Sequence, residues 1–505
     1  MIDHLVIDIL KSFSSEEIKQ FRRFLSSPYF VRSETVVSLF NLLIKYYPNF
    51  NSKKLTKEYL STNIFASEKY NDSTVRNALS DLQDTCELFM THENFRKSAT
   101  FSFDFLLKEL RDKKLGEVFK KNSAKLDKQF SSANNIIDSE YYLTKHKFEL
   151  NKFNYYSLNE KVNDSSEADL HFNQIYSSGL YLTIHYIIEI VSIYLTSVFY
   201  SIQYNRPITN NFLYKLISIL NIRGLENLIE NSEHNFIIKI YISLLKTFQN
   251  LDDEKAYLEY KNIFRSNMNK LNKDEIWFHY SNLINYCMIK VRDMNNKELY
   301  DSELFTLYQE VLQNDYYKNS KSDYLRFTLY RDILFTGLRQ KKINWVENFI
   351  LNQSSKLHKS DKDNMMNLAY AYLYYEKGEY MQSWKYFNKI KIDYFFFKFD
   401  LKNYALKIYF ELGYYEEALT LIENYKKFLD RNDLMSESER NRTKSFITYL
   451  SKLILFKAGQ IPYKQFSTYR RRLELANDIS NRNWILNKYE AFASEIKHSR
   501  KLKSA

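Results

Sequence analysis

The sequence predicts an all-α protein, on the basis of its glycine and proline content, its apolar fraction and the spacing of its apolar residues. The chain has 505 residues but only 7 glycines and 4 prolines, whereas a β-rich fold of this size needs many tight turns built from both. Its hydrophobic fraction of 45% is typical of a folded protein. Apolar residues recur three or four positions apart, as amphipathic helices require. Because the chain exceeds the usual size of a single core, we expect several domains or an elongated helical array.

Residues 1–95 are predicted to form an N-terminal helical domain. Ser14, followed three residues later by Glu17, has the pattern of a capping box at the start of a helix. The same signal recurs at two later positions: Ser360 with Asp363, and Ser436 with Glu439. Apolar residues with helical spacing follow in two runs: Ile18, Phe21, Phe24 and Leu25, then Val75, Leu79, Leu82 and Cys86. This opening resembles that of uncharacterised bacterial helical-repeat proteins, a resemblance that implies no activity.

Residues 96–330 are predicted to form a degenerate array of helical repeats, because helix-length apolar runs alternate there without a clear period. One run, Gly179–Ile202, has 24 residues and a single formal charge at Glu189, and a membrane span needs about 20 apolar residues. However, a carboxylate in the middle of a span costs about 2.5 kcal/mol or more. His185 adds further polarity to the same stretch. We therefore expect a helix covered by its neighbours and no membrane span.

Residues 331–505 are predicted to contain helix-turn-helix repeats. Gly378 and Gly413, 35 residues apart, are flanked by matching residues. The matched pairs are Tyr374 with Tyr409, Tyr380 with Tyr415, Ser383 with Ala418, and Phe387 with Ile422. This pattern resembles the tetratricopeptide repeat, a helix-turn-helix unit of about 34 residues, most clearly over residues 364–429. Gly459 marks a third unit after a longer interval.

The repeat pattern has a physical basis at each matched position. Glycine adopts the left-handed conformation that ends a first helix, and the aromatic residue two positions later packs back against that helix. The small residue at 383 or 418 then allows the second helix to approach the first closely. The pattern also departs from the family, since Phe395 and Asp430 stand where a proline usually closes the repeat.

Resemblance to this family implies an α-solenoid whose concave surface binds a protein or peptide partner. The resemblance implies that this surface is lined by Leu368, Tyr372, Tyr375, Asn403, Lys407 and Phe410; the alternative is that another helix buries several of these aromatic residues. The family's clamp for a C-terminal carboxylate uses Lys and Asn, but Asn403 and Lys407 occur here in the swapped order. From the concave surface that the resemblance implies, the chain is predicted to be a non-catalytic scaffold or adaptor for a protein or peptide partner.

The basic residues of the chain suggest an alternative, a nucleic-acid- or ribosome-associated protein. The net charge of +12 is concentrated in residues 96–128, with ten Lys or Arg against five Asp or Glu, and in residues 464–505, with ten against four. The second segment includes three consecutive arginines, Arg470, Arg471 and Arg472. Such runs bind polyanions or simply form a solvated surface. A third interpretation, a structural subunit of a larger complex, predicts a large exposed apolar patch.

Most catalytic motifs are excluded by spacing, so no enzyme activity, cofactor or metal is predicted. The closest two glycines are 35 residues apart, which rules out the phosphate-binding and dinucleotide-binding loops and the nucleophile elbow. The closest two histidines, His171 and His185, are 14 residues apart, and the two cysteines are Cys86 and Cys287; neither spacing fits a zinc motif. The distant cysteines and the acidic start of the chain favour a cytoplasmic location.

Overall fold

The computed structural model describes residues 2–65, 70–131, 137–159, 164–204, 206–207, 211–221, 224–225, 227, 234–292, 297–318, 323–391, 395–432, 434–476 and 478–504. This part of the chain contains 23 α-helices. It contains no β-strand, and its only β pairing consists of two isolated bridges, Ile137 with Leu271 and Leu325 with Leu357. The prediction of an all-α fold is confirmed.

The helices are numbered in the order in which they occur along the chain. The first ten are α1 Leu5–Ser12, α2 Ser15–Leu25, α3 Glu34–Leu43, α4 Lys57–Phe65, α5 Asp72–Lys97, α6 Ala99–Asp112, α7 Gly116–Phe130, α8 Ser139–Asn159, α9 Ser165–Tyr204 and α10 Phe212–Ile219. The remaining thirteen are α11 Asn235–Gln249, α12 Glu254–Asn267, α13 Lys273–Arg292, α14 Lys297–Gln313, α15 Phe327–Arg339, α16 Ile343–Gln353, α17 Lys362–Glu376, α18 Tyr380–Phe387, α19 Phe395–Leu412, α20 Tyr415–Asp430, α21 Glu437–Lys457, α22 Phe466–Leu475 and α23 Arg482–Ser504.

The chain divides into two compact units. The first comprises residues 1–135 and 140–182, and the second comprises residues 136–139 and 183–505. The boundaries predicted from the sequence lie elsewhere: residue 95 lies inside α5, and residue 330 lies inside α15. The helix α5 extends to Lys97, and Ser98 then caps α6 by accepting a hydrogen bond from the Phe101 amide. The predicted boundary at residue 95 therefore lies next to a helix junction.

The first unit contains a continuous core built by α1–α5. Its buried residues run from Ile2 to Phe89, and Phe21 at its centre contacts the rings of Phe13, Phe40 and Phe89. The predicted capping box of α2 is confirmed, since the Ser14 hydroxyl accepts from the Glu17 amide and the Glu17 carboxylate accepts from the Ser14 amide. A second apolar cluster joins α6, α7 and α8 through Leu107, Phe119, Leu126, Phe148 and Tyr155.

The second unit contains the predicted repeat segment. The helices α19–α23 share one apolar core that includes Leu406, Ile422, Leu450 and Tyr489. Ser436 caps α21 by accepting a hydrogen bond from the Glu439 amide, which is one of the two bonds of the predicted capping box. The prediction at Ser360 was wrong: α17 is preceded by Asp361, and the Ser360 hydroxyl bonds instead to the His358 ring, 2.7 Å away.

The apolar run tested above as a membrane span lies in α9. Among the described residues, this is the one helix long and apolar enough to cross a membrane by length and composition, and 44% of its most apolar window is buried. A helix in the core of a soluble protein passes the same test. The length and apolar composition of α9 are therefore only weak support for a membrane span.

Candidate protein-binding surface

The first predicted repeat turn lies between α17 and α18. Gly378 has a φ of 79°, in the left-handed region that favours glycine. Tyr380 begins α18, and its ring contacts Tyr375 on α17 at 5.4 Å. Ser383 is fully buried between the two helices, and its hydroxyl donates to the Ala371 carbonyl at 2.8 Å. The small side chain at this position thus holds α18 against α17.

The second and third turns have the same backbone conformation. Gly413 between α19 and α20 has a φ of 76°, and Gly459 after α21 has a φ of 71°. Tyr415 begins α20, and Ala418 is fully buried one turn later. The glycines at 378, 413 and 459 therefore all end a helix in the same way, which is the local feature that the sequence pattern describes.

The residues predicted to line an open binding surface are largely covered. Leu368 is 0% exposed, Phe410 6% and Tyr375 9%. Tyr372 is half-buried: its ring stacks on Tyr404 at 3.9 Å, and burial raises the pKa of its hydroxyl. Asn403 is also half-buried and lies beside the Tyr425 hydroxyl. A partner would have to displace parts of this chain to reach most of these side chains.

Tyr375 and Phe410 are covered by the side chain of Trp484, on the final helix α23. Its indole Nε1 donates to the Tyr375 hydroxyl at 2.6 Å and to Glu411 Oε1 at 3.2 Å. Its ring also meets Phe410 edge-on, with centroids 5.5 Å apart, and Phe446 on α21 at 6.1 Å. One side chain thus contacts three helices, α17, α19 and α21.

Two lysines complete what we call the Trp484 cluster, defined as Tyr375, Lys407, Phe410, Glu411, Trp484 and Lys488. The Lys488 ammonium lies 2.7 Å from Glu411, whose side chain is 9% exposed. The Lys407 ammonium lies 5.8 Å from the centre of the Trp484 ring. Burial lowers the pKa of Lys407 to about 8, although Glu376 and Glu411 act in the opposite direction. Lys407 therefore serves an internal cluster rather than an open clamp.

The three arginines predicted to form a basic patch differ in ion pairing and exposure. Arg470 forms an ion pair with Glu474 at 2.9 Å on α22, while Arg471 and Arg472 are exposed. The side chains of Lys497, Arg500, Lys501 and Lys503 lie outside the described residues. In the other basic segment, the charges of α6 are paired with neighbouring acids: Lys108 with Asp104, Arg111 with Asp112, and Lys113 with Glu109.

An exposed aromatic surface lies where α5 meets α6. Phe95, Phe101 and Phe105 are 42%, 45% and 57% exposed, and the Phe95 and Phe105 rings are 5.8 Å apart. Two lysines lie over these rings: the Lys147 ammonium is 4.7 Å from the centre of Phe101, and the Lys108 ammonium is 5.9 Å from the centre of Phe105. We call Phe95, Phe101 and Phe105 the aromatic patch. Sequence reasoning assigned this stretch to a domain boundary and did not identify it.

A buried polar network is present in the second unit but is closed to solvent. The Tyr241 hydroxyl donates to Glu275 Oε2 at 2.7 Å, and His279 Nε2 lies 3.6 Å from the same oxygen. The Tyr260 hydroxyl lies 2.9 Å from the other nitrogen of His279. Burial raises the pKa of Glu275 to about 7 and lowers the pKa of His279 to about 3. Because these groups are buried, the network is a structural element.

The two cysteines, which are candidate nucleophiles, also lie in the interior. Cys86 and Cys287 are both buried, and burial raises the pKa of each thiol to about 12. Their thiolate forms are therefore scarce at neutral pH. Among the described residues, no group of three or more His, Cys, Asp or Glu side chains has a geometry that could hold a metal ion.

The comparisons with known proteins leave the family open. No protein-family model matches the chain, and neither the curated proteins nor the solved structures include a match.

Proposed function

We propose that the chain is a non-catalytic scaffold that binds a protein partner through the aromatic patch on α5 and α6. The observation that carries this proposal is the exposure of three phenylalanine rings at the junction of α5 and α6, two of which, Phe95 and Phe105, lie 5.8 Å apart. Contiguous exposed apolar surface on a soluble protein marks interaction sites. Aromatic anchors supply much of the binding energy at such sites.

The flanking lysines indicate the chemistry of the partner. Lys108 and Lys147 lie over the phenylalanine rings and also approach the buried carboxylate of Asp104, at 2.9 Å and 3.6 Å. Asp104 thus fixes both ammonium groups at the edge of the patch. A partner segment with apolar anchors and flanking carboxylates would match this surface in both shape and charge.

The patch is a better candidate than the surface first predicted from the repeats. The side chains at 368, 375 and 410 are already buried by the chain itself, and binding at Tyr375 or Phe410 would require loss of the Trp484 contacts. The α9 helix also exposes aromatic rings, at Phe172 and Tyr176, but these belong to one helix. The aromatic patch combines rings from two helices with fixed positive charges.

Replacing the three phenylalanines is expected to weaken binding of the partner. We expect the tagged full-length variant F95S/F101S/F105S to recover at least about 10-fold less partner from cell lysate than the wild-type chain, because truncating an aromatic anchor commonly costs about 2 kcal/mol. The measurement is affinity purification with quantitative mass spectrometry. Thermal unfolding of both proteins checks that the variant remains folded.

A matched control separates the patch from general loss of apolar surface. The variant L5S/Y29S/L158S also replaces three exposed apolar side chains of the first unit, and it is expected to recover the partner at the wild-type level. Equal recovery by the patch variant and the control would contradict the proposal. Loss of the captured material on nuclease treatment would instead support a nucleic-acid-associated role.

A further inference from the structure

The helix α7 presents a row of lysines to solvent. Phe119, Ser123 and Leu126 bury one side of this helix. Lys121, Lys125 and Lys128, spaced four and three residues apart, lie on the opposite side and are exposed. We call these three residues the α7 lysine row.

The α7 lysine row differs from Lys108, Arg111 and Lys113, earlier in the same segment, in its ion pairing. In the part of the chain that the structure describes, no ion pair involves any of these three lysines, whereas Lys108 and Arg111 on α6, and Lys113 just after it, are each paired. Of the two acids on the helix, Asp127 lies 3.3 Å from Lys152 on α8, and Glu117 is exposed one turn before Lys121. The three positive charges of the row therefore lie together on one side of α7.

We infer that the α7 lysine row is a contact surface for the phosphodiester backbone of a nucleic acid, an activity beyond the proposed protein scaffold. The row spans about 10 Å along the helix, at about 1.5 Å per residue. Consecutive phosphates of one duplex strand advance about 3.4 Å along the axis. Three lysines thus extend over roughly three phosphates.

The composition of this side of α7 favours a nucleic acid over an acidic protein. Ala124 is the apolar residue that lies among the three lysines, and it offers no large anchor side chain. Specific protein interfaces draw most of their energy from buried aromatic, aliphatic or arginine anchors. A surface made of unpaired lysines gains affinity mainly by releasing counterions from a regular polyanion. Contact of this kind carries little sequence specificity.

The test is a salt titration of binding with the full-length chain. The probe is a fluorescent mixed-sequence duplex of about 20 base pairs, and its affinity is measured by anisotropy over a range of KCl concentrations. We expect K121Q/K125Q/K128Q to bind at least about 10-fold more weakly at low salt. The slope of log K against log salt should become shallower by up to about 2.7, since each phosphate contact contributes about 0.9.

The control is K45Q/K53Q/K54Q, which removes the same charge from exposed lysines elsewhere in the first unit. We expect it to retain the wild-type slope. Equal weakening by both triple variants would show that only net charge matters and would overturn the inference. Displacement of the duplex by polyglutamate at equal charge concentration would assign the row to an acidic protein instead, which would also overturn it.

Discussion

Replacing Trp484 by alanine is expected to loosen the C-terminal part of the second unit. The indole packs against Phe410 and Phe446 and donates to Tyr375 and Glu411. Loss of a tryptophan from a packed site costs about 3–5 kcal/mol, and we expect the lower end because this ring is half-buried. The measurement is native-state hydrogen exchange of α17, α19 and α23, which should become about 100-fold faster.

Two further variants separate packing from hydrogen bonding at this site. W484F keeps an aromatic ring but removes the indole N–H, so we expect an intermediate increase in exchange. L475A changes a side chain that is exposed on α22, and it should leave the exchange of α17 and α19 unchanged. If W484A exchanged at the wild-type rate, the Trp484 cluster would not hold these helices together.

Replacing Glu275 by glutamine is expected to stabilise the protein at neutral and higher pH. Burial raises the pKa of Glu275 from 4.5 to about 7, with Asp138, Glu189 and Asp274 adding repulsion. The folded state therefore binds this proton more tightly than the unfolded state, so stability is lost as pH rises from about 4.5 to about 7. Glutamine keeps an acceptor for the Tyr241 hydroxyl but cannot ionise. We expect a gain of up to about 3 kcal/mol near pH 8.

The measurement is thermal unfolding of wild type and E275Q at several pH values. The two proteins should converge below pH 4.5, where the carboxyl group becomes protonated in the unfolded chain as well. His279 has the opposite linkage: its pKa is lowered to about 3, so stability falls as pH drops below about 6.5 in both proteins. A constant difference between the two proteins at every pH would show that Glu275 does not titrate as proposed.

The local turns were predictable because their cause is local. A glycine at the end of an amphipathic run favours a left-handed terminus whatever surrounds it, and Gly378, Gly413 and Gly459 each adopt that conformation. The capping box at Ser14 depends on four consecutive residues and was predictable for the same reason. The cap at Ser360 failed because the nearby His358 ring engages the hydroxyl, and a four-residue pattern does not include that competitor.

Which apolar residues remain exposed was not predictable, because it depends on contacts distant in the sequence. Trp484 covers Tyr375 across 109 residues, and no spacing within α17 or α23 signals that contact. The aromatic patch was missed for the complementary reason. Phe101 and Phe105 have ordinary helical spacing, and only the packing of α6 through Leu107 and Leu110 leaves them on the solvent side. Periodicity identifies a helical face but not its neighbours.

The most direct test of the scaffold proposal is hydrogen exchange of the full-length chain with and without its purified partner. The proposal predicts slower exchange in the segment that carries the aromatic patch, residues 88–112, and unchanged exchange in residues 365–412. Protection confined to residues 365–412, with residues 88–112 unaffected, would show that the partner displaces the Trp484 contacts. That result would contradict the assignment of binding to the aromatic patch.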